Sequence, residues 1–234
     1  MHRGAGFFLV IPAMAVALAA FGDTNSPIRR IVFSRMPEGW EVKTKPGTPA
    51  AVFSVVDCPD AAGRTALNME ADKASASLTG QVKDVDLNTT PIMRWSWRVT
   101  AFPEGADGLV AARDDQAIGI YLGAGGFLNQ KSVAYRWETD TPRGTNGRAE
   151  YAAGVVRVAW HCLRNRQDGT NGAFQIEERN VAEDYRAAFG STPKTFGLSI
   201  SCNSQYTGTK ASAQLEWIEF RPAADAAPSG VPGQ

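Results

Sequence analysis

The sequence predicts an all-β protein, a jelly-roll-like sandwich of two antiparallel sheets with one short helix. Three observations predict it. Twelve short segments rich in β-branched and aromatic residues recur along the chain, at 29–34, 40–43, 51–56, 65–71, 75–79, 92–99, 117–122, 133–137, 155–162, 174–178, 195–201 and 211–220. Strong turn signals separate them, among them Pro46-Gly47, Pro103-Glu104-Gly105, Pro142-Arg143-Gly144 and Asn146-Gly147. Many short strands with such punctuation read as two packed sheets. The third observation is a lone helical pattern near residue 185.

The alternation is clearest in the segment at 92–99. Met93, Trp95, Trp97 and Val99 fall on one side of a strand, and Arg94, Ser96 and Arg98 on the other. A period of two is what a pleated strand with one buried face requires. On that pattern Trp95 and Trp97 are core. The helical pattern starts at Asn180, with Glu183 three residues on, a variant of the capping box. Val181, Tyr185, Ala188 and Phe189 share one face, and Gly190 follows as a C-terminal stop.

The two ends differ from this body. Arg3 precedes an uncharged, mostly apolar run from Gly6 to Ala20, followed by small residues suited to cleavage. Residues 1–22 therefore read as a secretory signal peptide, the run being shorter than the roughly 20 residues of a membrane span. Residues 222–234 are rich in Ala, Pro and Gly and read as a disordered tail. A single sandwich domain over residues 23–221 remains. The expected setting is export, to the periplasm or beyond, with no membrane span left after processing.

Charge excludes one class of partner. The 24 Lys and Arg residues equal the 24 Asp and Glu residues, so there is no surplus to neutralise nucleic-acid phosphates. Three cysteines, Cys58, Cys162 and Cys202, remain in the exported part. The expected disulfide joins Cys162 to Cys202, both of which close predicted strands. A zinc site is not supported, since His161 is the only histidine outside the leader. No Gly-x-Ser-x-Gly elbow is present for nucleophilic catalysis.

Several residues are candidates for chemistry. Tyr135 and Trp137 precede a polar, glycine-rich stretch from Glu138 to Arg148, which suits a ring surface for stacking a sugar. Asp115 and Glu178 are the carboxylates that could face one another across a glycosidic bond; the alternative is salt bridging to nearby arginines. Asp84, Asp86 and Asn88 imitate the opening of a calcium loop, yet the sixth position is Thr89 rather than Gly. A structural calcium ion there is the only cofactor expected, with an ordinary turn as the alternative.

Four stretches carry a family resemblance: the run from Pro91 to Val99, Asp114-Asp115-Gln116-Ala117, Val133-Ala134-Tyr135-Arg136-Trp137, and Glu178-Arg179-Asn180-Val181 with Asp184-Tyr185 and Ala188-Phe189-Gly190. In that order the chain resembles the exported bacterial family known as domain of unknown function 3047, over roughly residues 29–220. The resemblance implies a jelly-roll sandwich similar to sugar-binding domains, and no activity. The chain departs from it at 201–208, where an acidic run is expected and Ser201-Cys202-Asn203-Ser204-Gln205-Tyr206-Thr207-Gly208 stands instead.

Three functional readings follow. The first is non-catalytic binding of a cell-envelope or extracellular carbohydrate, with Asp115, Tyr135, Arg136, Trp137, Glu178 and Asn203 as ligand residues on a loop-rich edge. The second is a polysaccharide hydrolase or lyase using Asp115 and Glu178. The third is an envelope structural or protein-interaction domain.

Overall fold

The structure is a computed structural model, and it describes residues 29–60, 62–126, 129–151, 153–169 and 172–223. The expected signal peptide at 1–22 lies outside the described residues, as does the expected tail from residue 224 onward. Thirteen strands are described: β1 (Arg29–Val32), β2 (Glu41–Thr44), β3 (Val52–Asp57), β4 (Thr65–Asp72), β5 (Ser75–Val82), β6 (Ile92–Ala101) and β7 (Ile118–Gly126), then β8 (Asn129–Trp137), β9 (Asn146–Tyr151), β10 (Val156–Arg164), β11 (Gln175–Asn180), β12 (Phe196–Asn203) and β13 (Lys210–Arg221). One helix, α1 (Val181–Phe189), lies between β11 and β12.

The strands form two sheets. The first has the order β11-β6-β13-β4-β3, with β1 also pairing to β13; the second runs β2-β5-β12-β7-β8-β10-β9. All twelve predicted segments fall on strands. The thirteenth, β9, lies in a stretch that reads as loop because Asn146-Gly147 is a turn signal. It is an edge strand held by β10 alone, so half of its backbone pairing and little burial had to be written into its sequence.

The sandwich class holds, with one departure from purely antiparallel pairing. Strands β8 and β10 run parallel, from Val156 opposite Gln130 onward. The chain leaves β8, forms the edge strand β9, and returns antiparallel to it as β10 in the space between. That return direction makes β10 parallel to β8.

The inner faces make the core. Met93, Trp95, Trp97 and Val99 of β6 are all buried, as the alternation requires. Trp95 packs edge-on to Trp97 at 5.4 Å between ring centroids. Across the sandwich Trp95 meets Tyr135 at 5.1 Å and Trp97 meets Trp137 at 5.6 Å. Each such aromatic pair contributes about 0.5–1.5 kcal/mol beyond its buried area, so this seam ties the two sheets together. The helix closes one side of the sandwich, touching β8, β6 and β11. Its ends are those the sequence encodes: the Asn180 Oδ1 accepts from the Glu183 amide at 3.2 Å, and Gly190 takes the left-handed conformation at φ 86°.

Two connections cross between sheets at one corner, and they position the site described below. The turn after β4 passes to β5 through Lys73, at φ 51°. The turn at 204–209 brings β12 back to β13. They are laced together by the Lys73 amide donating to the Thr209 carbonyl (2.9 Å) and the Ser204 amide to the Ala74 carbonyl (2.9 Å).

The expected disulfide does not form, and all three cysteines are buried free thiols. Cys202 faces the core from β12, whereas Cys162 faces outward from β10 beside Ala134 and Trp160. Two further strands, β7 and β8, stand between them. At about 4.8 Å per strand spacing, the separation far exceeds the reach of a disulfide.

Candidate functional site

The outer face of the seven-stranded sheet is a groove of about 610 Å³. That size lies in the range of small-ligand sites, about 300–1,000 Å³. Strand register builds it from residues far apart in sequence. One row across the sheet runs Lys43, Ser77, Ser201, Gly119 and Arg136. The next runs Thr79, Ser199, Tyr121, Ala134 and Trp160. A third runs Gln81, Gly197, Gly123 and Ser132.

The floor is thus made of hydroxyls, amides and glycines, with rings set into it. Gly119 and Gly147 exist for those rings. A Cβ on Gly119 would come within 2.8 Å of the Tyr121 ring, and one on Gly147 within 2.1 Å of Trp160. Tyr121 stands mid-groove. Tyr151 stands near the β9 edge with 38% exposure, and Tyr206 projects from the corner turn with 48%.

Beneath the β9 end lies a buried charge cluster. The Arg136 guanidinium is fully buried and pairs with Asp114 at 2.9 Å and Glu138 at 3.5 Å. It also sits 4.9 Å from the centroid of the Trp160 ring. Asp114 Oδ1 accepts a second bond from Gln116 Nε2 at 2.6 Å, and its Oδ2 accepts from the Tyr151 hydroxyl at 3.1 Å. Burial alone favours loss of the Arg136 proton, but Tyr121, Asp114 and Glu138 outweigh it and hold the charge. Burial pushes the Glu138 carboxyl up to about 7, and burial also raises the Tyr121 and Tyr151 phenols. Both tyrosines therefore keep their protons at neutral pH and remain available as neutral stacking rings.

The residues singled out from sequence are distributed as follows. Asn203 lines the groove, its Oδ1 accepting from the Ser75 hydroxyl at 2.6 Å. Arg136 lies just under it. Tyr135 and Trp137 point the other way, into the core, where the Tyr135 hydroxyl donates to Asp184 at 2.7 Å and the Trp137 indole donates to the Asn165 carbonyl at 3.1 Å. Asp115 is fully buried and holds the corner turn, accepting from the Thr207 amide at 2.7 Å and hydroxyl at 3.0 Å. Glu178 belongs to the other sheet, on its outer face, where Arg221 donates to it at 2.6 Å. Asp115 and Glu178 accordingly do not face one another.

Asp86 closes its own turn, accepting from the Asn88 amide at 2.9 Å and side chain at 2.8 Å. Asp84 precedes it at φ 62°. Among the described residues no three His, Cys, Asp or Glu side chains cluster as metal ligands.

Tyr121, Tyr151, Tyr206 and the polar floor were not singled out. A signal for the floor was present: Ser75, Ser77, Thr79 and Gln81 alternate with apolar residues, as do Ser199, Ser201 and Asn203. A stripe of small polar residues on one face of several strands marks an uncovered sheet face.

A family model described as "Protein of unknown function (DUF3047)" matches residues 38–219. No curated protein matches the chain in sequence. Among solved structures, a family 11 carbohydrate-binding module from Clostridium thermocellum, in complex with a beta-1,3-1,4-mixed-linked tetrasaccharide, is 6% identical with a TM-score of 0.43. That similarity covers 85% of this chain and 98% of the module. The enzymatically active domain of tailspike protein 4 of bacteriophage CBA120 is 10% identical with a TM-score of 0.40, covering 80% of this chain and 20% of that one. A GH87 alpha-1,3-glucanase catalytic domain in complex with tetrasaccharides is 10% identical with a TM-score of 0.29, covering 83% of this chain and 30% of that one.

Proposed function

The chain belongs to the DUF3047 family of proteins of unknown function, and from that premise, with no activity to inherit, we propose that it binds a carbohydrate chain along the groove without cleaving it. The observation that carries this reading is the combination of a hydroxyl-and-amide floor with exposed tyrosine rings. Sugar hydroxyls exchange hydrogen bonds with Ser77, Ser199, Gln81 and Asn203, while Tyr121 and Tyr151 offer faces for the apolar side of a pyranose.

Hydrolysis needs two carboxylates flanking the scissile bond. Asp114 is the one carboxylate among the groove-lining described residues, and both of its oxygens are already engaged. Glu138, with its raised pKa, is sealed beneath the floor. Binding without cleavage is the chemistry this arrangement supports. A signal peptide over residues 1–22 would put that binding in the periplasm or outside the cell, where the partner is a cell-envelope or extracellular carbohydrate.

The test is a glycan and polysaccharide panel against the protein lacking residues 1–22, with and without Ca²⁺. We expect a specific hit that Tyr151→Ala weakens by about five- to tenfold, the worth of one stacking ring, while the far-UV circular dichroism stays that of the wild type. A blank across the panel overturns the proposal and favours a protein-interaction role. Dependence on Ca²⁺ would identify the turn at Asp84, Asp86 and Asn88 as a metal site once variants there remove it.

A further inference from the structure

On the carbohydrate reading above, on which this rests, we infer that the bound glycan is anionic, carrying carboxylate or sulfate groups that meet Lys45 on the β2 wall of the groove. The register puts Lys43 opposite Ser77, on the groove side of β2, and Lys45 follows two residues later with the same parity. Both lysines line the groove, and they are the only cations among its described lining residues.

Their charges are answered differently. Lys43 pairs with Glu41 on its own strand. Among the described residues no carboxylate lies within ion-pair distance of Lys45; its ammonium sits instead 5.6 Å from the centroid of the Tyr206 ring. The acids nearest in effect, Asp115 and Asp114, are already committed, the first to Thr207 and the second to Arg136, Gln116 and Tyr151. Desolvation by the groove wall depresses the Lys45 pKa more than those two acids raise it. The surroundings therefore hold too little negative charge for this cation, although its side chain reaches solvent.

Lys45 and Tyr206 together make a bipartite contact. The ring supplies an apolar face for a sugar, and the ammonium beside it supplies a partner for an acidic group on that sugar or its neighbour. A neutral glycan would use the ring and leave the charge unanswered. An anionic one uses both, and the gain comes without displacing any existing ion pair. The opposite wall, formed by Tyr151, Val156 and Val158, carries no cation, so the acidic groups align along one side of the chain.

Calorimetric titrations with polygalacturonate and its fully methyl-esterified form, and with dextran sulfate and dextran, test this. At low salt we expect one anionic polymer to bind about tenfold tighter than its uncharged counterpart. Lys45→Gln should erase roughly two- to fivefold of that preference, the worth of one partly solvated charge pair, and Lys210→Gln, outside the groove, should leave it intact. A preference within the polygalacturonate pair assigns the group as carboxylate, one within the dextran pair as sulfate ester. Equal binding of charged and uncharged polymers overturns the inference while leaving carbohydrate binding standing, as does an equal loss in both lysine variants. No binding to any polymer, neutral ones included, overturns both.

Discussion

The outer faces of the two sheets are built from the same backbone pattern and treat their polar residues in opposite ways. On the six-stranded sheet, arginines and acids interlock. Arg94 bridges Glu178 and Glu219, Arg30 reaches Glu219, Arg64 reaches Glu216, and Arg221 reaches Glu178. Aromatic rings fill the space between, with Arg30 lying 4.2 Å from the Trp217 ring centroid and Arg98 4.3 Å from that of Phe174. The seven-stranded sheet instead offers Ser, Thr, Gln, Asn and Gly, with rings left bare. A face whose donors and acceptors are spent on one another has little left for a ligand. A face of small neutral polar groups is solvated by water that a ligand can displace.

The difference teaches where charge is structural. Arg136 is the exception on the open face, because it is charged, outward-pointing and yet sealed from solvent. If it is a strut and not a ligand group, its removal is the most damaging change on either face. Arg136→Met leaves the buried Glu138 and the half-buried Asp114 without a counter-charge, and we expect a loss of about 3–5 kcal/mol in urea unfolding. A loss below about 1 kcal/mol would show that the cluster is solvated and that the two faces differ less than described.

Glu138 sharpens the same point through pH. Its carboxyl titrates at about 7 in the folded protein against 4.5 in the unfolded chain, burial being the main cause. The unfolded chain gives up this proton first. The group's contribution is therefore fully present below pH 4.5 and is lost as pH rises through 7, on the order of 3 kcal/mol in all. Wild type minus Glu138→Gln, followed by thermal unfolding from pH 4.5 to 8, should show that slope. A flat difference would mean that Arg136 already keeps the carboxylate ionised.

The closed face responds with smaller magnitude and opposite sign. Burial pushes Glu216 up, but hydrogen bonds from Arg64 and Ser96, with the charges of Arg64 and Arg30, outweigh it and hold the carboxyl below its usual value. Its contribution is present above pH 4.5 and fades as pH falls through the lowered value. Glu216→Ala should cost about 1–2 kcal/mol at neutral pH and leave glycan affinity unchanged. A change in affinity would make the six-stranded face part of the binding surface.

Much of this was legible beforehand. The period-two segments marked twelve strands, and Asn180 and Gly190 marked both ends of the helix, because strand pleat and helix capping are local geometry. The candidate ligand residues fared unevenly. Asn203 reached the groove, yet Tyr135 and Trp137 went to the core while Arg136, between them, faced the other way. The alternation Val133, Tyr135, Trp137 already assigned the rings to one apolar side of β8. Cys162 and Cys202 close strands of similar character, and nothing in their spacing said that two other strands stand between them.

Local periodicity and turn chemistry, then, determined that there would be two-faced strands, roughly where all but β9 would lie, and which side of most would be apolar. Those properties depend on sterics and burial within a few residues. The row Lys43, Ser77, Ser201, Gly119 and Arg136 depends on something else. Its members lie far apart in the chain, from residue 43 to residue 201. They share a groove only because long-range pairing sets strand order and register, and that pairing is decided by packing of the whole sandwich, not by any one segment.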